Sequence, residues 1–72
     1  MMAERREEIR GFMIARGAAC VEFRPRAIFV FFPRHEERNA NAAARMLGEA
    51  GAESCCTLIE QSGEYVVSGI VV

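Results

Sequence analysis

Three groups of residues in this chain have the types and spacing that chemistry needs. His35, the only histidine, lies between Arg34 and Glu36, with Arg38 one helical turn further on. Arginines beside a helix start, where free N–H groups point outward, suit a phosphate or carboxylate, and an imidazole there could move a proton. Glu36 and Glu37, however, occupy the same first turn and already complement the helix dipole, so a solvated surface is expected. No nucleophile stands beside His35 in sequence.

The second group is sulfur. Cys55 and Cys56 are adjacent, and with Cys20 and His35 they match a structural zinc complement by composition. Spacing argues against it, because neighbouring side chains on a regular strand point to opposite faces and cannot share one ion without a bulge. The expectation is small strand residues, with no metal and no cofactor. An odd number of cysteines is also no disulfide framework, and a reducing cytoplasm is the expected location.

The third group is aromatic. Phe29 and Phe31 stand two apart in "RAIFVFF", with Arg24, Arg26 and Arg34 flanking the stretch. Stacked bases with arginines on the phosphates would use such a set, as in a single-stranded nucleic-acid module. Core or interface packing of the phenylalanines is the expected use, since a net charge of −1 supplies no general attraction to nucleic acid or an anionic membrane. Gly-rich phosphate loops, nucleophile elbows and nucleotide fingerprints are absent. With one His and neither Asp nor Lys, the chain is not expected to be an enzyme. Arginine without lysine reads as codon bias in a GC-rich genome, and the small scale of the chain is that of many bacterial or phage regulators, adaptors and inhibitors.

The elements that must position these residues belong to one small domain, 1–72. Apolar residues make up 51% of it, enough to offset the ordering entropy and argue against disorder. The opening "MMAERREEIR" has no apolar stretch of signal-peptide type, and "YVVSGIVV" is too short to span a bilayer. No membrane association is expected.

"AERREEIRGFMIARG" reads as a first helix, with Ile9, Phe12 and Met13 on one face and Gly17 as its cap. Charged pairs at i, i+3, Arg5–Glu8 and Glu7–Arg10, mark the solvated side. "AACVEFR" alternates as a half-buried edge strand, "RPRA" turns the chain, and a second strand runs from Ala27 to Phe32, ended by Pro33. The second helix is expected from about Arg34 to Gly51, with Ala40, Ala43, Ala44, Leu47 and Ala50 forming a stripe of mostly small residues. "SCCTLIE" gives a third strand, "QSGE" a turn, and "YVVSGIVV" a fourth strand to the last residue.

The order α-β-β-α-β-β and the handedness of a βαβ crossover leave a gap between strands two and three. Strand four fills it. The expected fold is α+β: a two-layer αββαββ sandwich with a four-stranded antiparallel sheet in the order 3-4-2-1, a circularly permuted ferredoxin-like arrangement with both helices on one face. This order places the two most apolar strands in the centre.

Two helices cover one face of a sheet and leave the other bare. Strand two must send either Ile28, Val30 and Phe32 or Phe29 and Phe31 to the bare side. Strand four sends either Tyr65, Val67 and Val71 or Val66, Ile70 and Val72. Either choice leaves an apolar patch that lone monomers seldom expose, and a domain of this size is marginal alone. The expected function is therefore contact: a non-enzymatic adaptor, regulator or inhibitor, homodimeric through its open sheet. Phe29, Phe31, Tyr65 and Val67 are the expected contact residues. The alternative is the nucleic-acid module using Arg24, Arg26 and Arg34.

Overall fold

The computed structural model describes residues 3–71. Its elements are α1 (Ala3–Ala15), β1 (Cys20–Arg24), β2 (Ala27–Phe32), a 3-10 turn (Arg34–Glu36), α2 (Glu37–Glu49), β3 (Glu53–Ile59) and β4 (Glu64–Ile70). The four strands form one antiparallel sheet in the order β1-β2-β4-β3. This is the expected order, with the expected helices on a single side.

Glycine ends both helices. Gly17 adopts φ +102° and Gly51 φ +101°, the left-handed region that side-chain-bearing residues avoid. At the first, Ala18 N–H donates to Met13 O and Gly17 N–H to Ile14 O, both at 3.0 Å. At the second, Ala52 N–H donates to Leu47 O and Gly51 N–H to Gly48 O, again at 3.0 Å. These paired bonds satisfy the carbonyls that a helix end leaves free and turn the chain into the next strand.

β1 and β3 are shifted from the expectation by one or two residues, and two further boundaries differ for a visible reason. Glu36 N–H bonds to Pro33 O, so Arg34–Glu36 forms a tight 3-10 turn and α2 proper starts at Glu37. The fourth strand ends at Ile70, because its partner β2 begins at Ala27 beyond the Pro25–Arg26 turn. Val71 makes one last bond, donating to Arg26 O, and Val72 lies outside the described residues.

Register sorts the side chains into two faces. The row Val21–Val30–Val67–Cys56 and the row Phe23–Ile28–Gly69–Ser54 point toward the helices. Val30, Phe32 and Val67 are fully buried there against Met13 of α1 and Ala40 and Ala43 of α2. The small α2 stripe lets that helix lie close to the sheet, where large residues meet small ones and the core fills. Ala50, expected on the same stripe, is exposed at the helix end. Gly69 marks the closest approach: a Cβ there would lie 3.0 Å from Leu47 Cδ1 and 3.1 Å from Ile28 Cγ2. On α1, Met13 and Ile9 pack on the core as expected. Phe12 is instead 43% exposed, with the Arg16 guanidinium 4.0 Å from its ring centre. Glu7 and Arg10 pair, but Arg10, expected on the solvated side, turns its guanidinium toward the Phe23 ring at the sheet.

Candidate functional site

The other face of the sheet is built from Cys20, Glu22 and Arg24 on β1, Ala27, Phe29 and Phe31 on β2, Val66, Ser68 and Ile70 on β4, and Glu53, Cys55 and Thr57 on β3. Both helices pack on the opposite side, so among the described residues no helix lies over it. Phe29, Phe31 and Val66 are half-buried by their strand neighbours, and Ile70 is 43% exposed. The rows read across the sheet as Cys20–Phe31–Val66–Thr57, Glu22–Phe29–Ser68–Cys55 and Arg24–Ala27–Ile70–Glu53. An apolar middle is thus flanked by charge on the two edge strands.

Two of the four expected contact residues are corrected by this register. Val67 faces the helices and has no exposed surface, and Tyr65 packs beside it against the core. Phe29 and Phe31 face the bare side, where β4 sets Ser68 opposite Phe29, Val66 opposite Phe31 and Ile70 opposite Ala27. The reason is the pairing Val30↔Val67 and Phe31↔Val66, which gives the two central strands the same alternation.

The arginines expected to flank the aromatics do not gather. Arg24 is on the bare face and pairs with Glu22 at 3.7 Å. Arg26 is in the β1–β2 turn, and Arg34 follows the far end of β2, beside Gly63. Glu22 and Glu53 share the bare face with Arg24, so it presents no basic track of the kind a phosphate backbone needs.

The nucleophile and metal candidates are also dispersed. His35 is 78% exposed, with Nε2 3.5 Å from Glu36 Oε1. Cys20 and Cys55 lie on opposite edges of the bare face, Cys55 with its sulfur 3.4 Å from Thr57 Oγ1, while Cys56 faces the helices. Burial, then the neighbouring Cys55 and Glu37, raises the Cys56 thiol above its ordinary value, which keeps it protonated and weakly nucleophilic. Partial burial and the Glu37 carboxylate likewise hold the Tyr65 phenol above its usual range. Among the described residues, no three His, Cys, Asp or Glu side chains come together as metal ligands. No described helix is long and apolar enough to cross a membrane.

Sequence reasoning did not single out the edge acids Glu22 and Glu53, because their value depends on which strands lie at the rim of which face. Compared with protein-family models, curated proteins and solved structures, the chain matches none.

Proposed function

We propose that this protein works by contact rather than catalysis, as a homodimer whose two sheets pack bare face to bare face. One observation carries the reading: the face away from the helices places Phe29, Phe31, Val66 and Ile70 together in its middle with no helix over them. A chain this short gains little stability from one core, and burying a second apolar surface supplies what the monomer lacks. Twofold dimers are the commonest way to do so.

Charge chooses a second copy as the occupant and sets its orientation. The row Arg24–Ala27–Ile70–Glu53 has a cation at one end and an anion at the other. A twofold axis parallel to the strands, beneath the β2–β4 seam, reverses that row onto itself. Arg24 then faces Glu53 of the partner subunit, and the partner's Arg24 faces Glu53. Phe31 meets Val66 of the partner subunit, and the strands stay aligned as in sheet-on-sheet sandwiches. An axis across the strands through the central Glu22–Phe29–Ser68–Cys55 row would set Arg24 against Cys20 of the partner subunit, with no acid opposite it. The dimer would act as an adaptor, regulator or inhibitor, with its helices facing outward. The exposed His35 and the protonated Cys56 thiol support a non-enzymatic role.

Sedimentation equilibrium from low to high micromolar concentration tests this. The expected result is a monomer–dimer equilibrium that Arg24→Glu and Glu53→Arg each weaken and that the double reversal restores. A single-chain mass at the highest concentration, or single and double variants that dissociate alike, would overturn it.

A further inference from the structure

The helix side of the molecule, away from the bare sheet, holds a cleft. α1 packs on β1 while α2 packs on β4, β3 and β2, and a gap of about 650 Å3 remains between the helices. That volume falls within the roughly 300–1,000 Å3 of small-molecule sites. Its floor includes Ile28 and Gly69, with Ile9 and Met13 on one wall and Met46 and Leu47 on the other. The two methionines are unbranched and adaptable, suited to a flexible apolar chain.

Charge at the cleft reverses the balance of the whole protein. The chain has a net charge of −1, yet among the described residues the helix side of the cleft draws on Arg5, Arg6 and Arg26 against one acid, Glu8. Arg6 is held in place: its guanidinium carbon lies 5.7 Å from the centre of the Phe23 ring, with that of Arg10 5.3 Å from the same ring. The Nε of Arg6 is buried and has no hydrogen-bond partner among the described residues. That Nε is sealed from the cleft, so an anion there meets the terminal Nη groups of the same guanidinium, whose charge-assisted hydrogen bonds are the strong ones. Among the described residues the lining contains no Ser, Thr, Asn, Gln, Tyr or His. Sugars and nucleotides, which need many polar partners, are therefore poor occupants.

We infer that this cleft binds a single-chain amphipathic carboxylate of the medium-chain fatty-acid class. The alkyl chain lies between Met13 and Met46 over Ile28 and Gly69, and the carboxylate meets Arg6 at the mouth, with Arg26 of the β1–β2 turn nearby. This inference uses the face opposite the proposed dimer contact and does not rest on it.

The test is titration of the protein with decanoate, kept below its aggregation threshold, followed by methyl and arginine side-chain NMR. Expected are saturable one-to-one binding, shifts at Arg6 Nε and at the Met13 and Met46 methyls, and nuclear Overhauser contacts from the alkyl chain to those methyls. Arg6→Met keeps the length and the packing on Phe23 while removing the charge, and should weaken binding at least tenfold. Decylamine and decanol should bind at least tenfold more weakly than decanoate to the unaltered protein, a comparison that needs no variant. Non-saturable binding, equal binding of decylamine, an unchanged affinity in a folded Arg6→Met protein, or shifts centred on Phe29, Phe31 and Val66 would each overturn the inference. A monomeric protein that binds decanoate as described would sink the dimer and leave this site standing.

Discussion

Phe31 and Phe32 are adjacent, equal in size and opposite in facing, so truncating each in turn separates the two sides of the sheet. Phe32 is fully buried against the helices. Its replacement by alanine removes a large core side chain, at a cost of about 3–5 kcal/mol. A 72-residue domain has only roughly 4–11 kcal/mol of stability in total, so Phe32→Ala should be near or past its unfolding threshold. Phe31 lies on the bare face beside Val66 and is half-buried. Complete burial of a phenylalanine contributes about 1.5–3 kcal/mol, so roughly 1 kcal/mol per copy remains to be gained on association. Twofold symmetry doubles this to about 2 kcal/mol, or roughly a 30-fold rise in dimer Kd for Phe31→Ala. Analytical ultracentrifugation reads the Kd, and urea denaturation at two protein concentrations separates folding from association. The expected pattern is Phe31→Ala folded but largely monomeric, with a midpoint that no longer depends on concentration. A Phe31→Ala protein with unchanged mass behaviour, or one that unfolds as readily as Phe32→Ala, would refute the assignment of the faces.

Two further predictions concern the fold itself. Gly11 lies inside α1 with nothing within 4 Å of an added Cβ, so Gly11→Ala should stabilise by about 0.4–1 kcal/mol, read as a higher urea midpoint. Gly17→Ala should lower it by about 1–2 kcal/mol, because the left-handed backbone resists a side chain there, and the new Cβ would lie 2.6 Å from Glu36 Oε2. On the alkaline side, Cys56 and Tyr65 both have raised folded-state values. The unfolded chain sheds these protons first, so stability should be full below about pH 8 and fall as pH rises through the ordinary thiol and then phenol values. Thermal melts from pH 7 to the alkaline limit check this, and Glu37→Gln, which removes a shared cause of both shifts, should flatten the decline.

Much of the architecture was legible because local patterns carried it. Ile9 and Met13 at helical spacing, the Ala40–Ala43–Ala44–Leu47 stripe, Gly17 and Gly51 as caps, and the turn at Pro25 each act through neighbours only a few residues away. The strand order followed too, since placing the two most apolar strands centrally leaves the polar ones at the rim. The Cys55–Cys56 pair splits across the sheet, as strand alternation requires.

The facing of β4 was not legible, and the reason is physical. "YVVSGIVV" is apolar at both alternations, so the hydrophobic pattern alone does not decide whether Val66 or Val67 turns inward. Packing decided it: Leu47 of α2 presses on the bare backbone of Gly69, which puts Gly69, and with it Val67 and Tyr65, on the helix side. The arginine-rimmed cleft was equally invisible, because Arg6 and Arg26 stand twenty residues apart and meet only when α1 and the β1–β2 turn come to one end of the sheet. Sequence by itself determined the elements, their caps and their order, all consequences of short-range sterics and apolar periodicity. Only the tertiary structure decided which apolar face stays bare and which charges surround it, because those depend on contacts between segments that share no local signal.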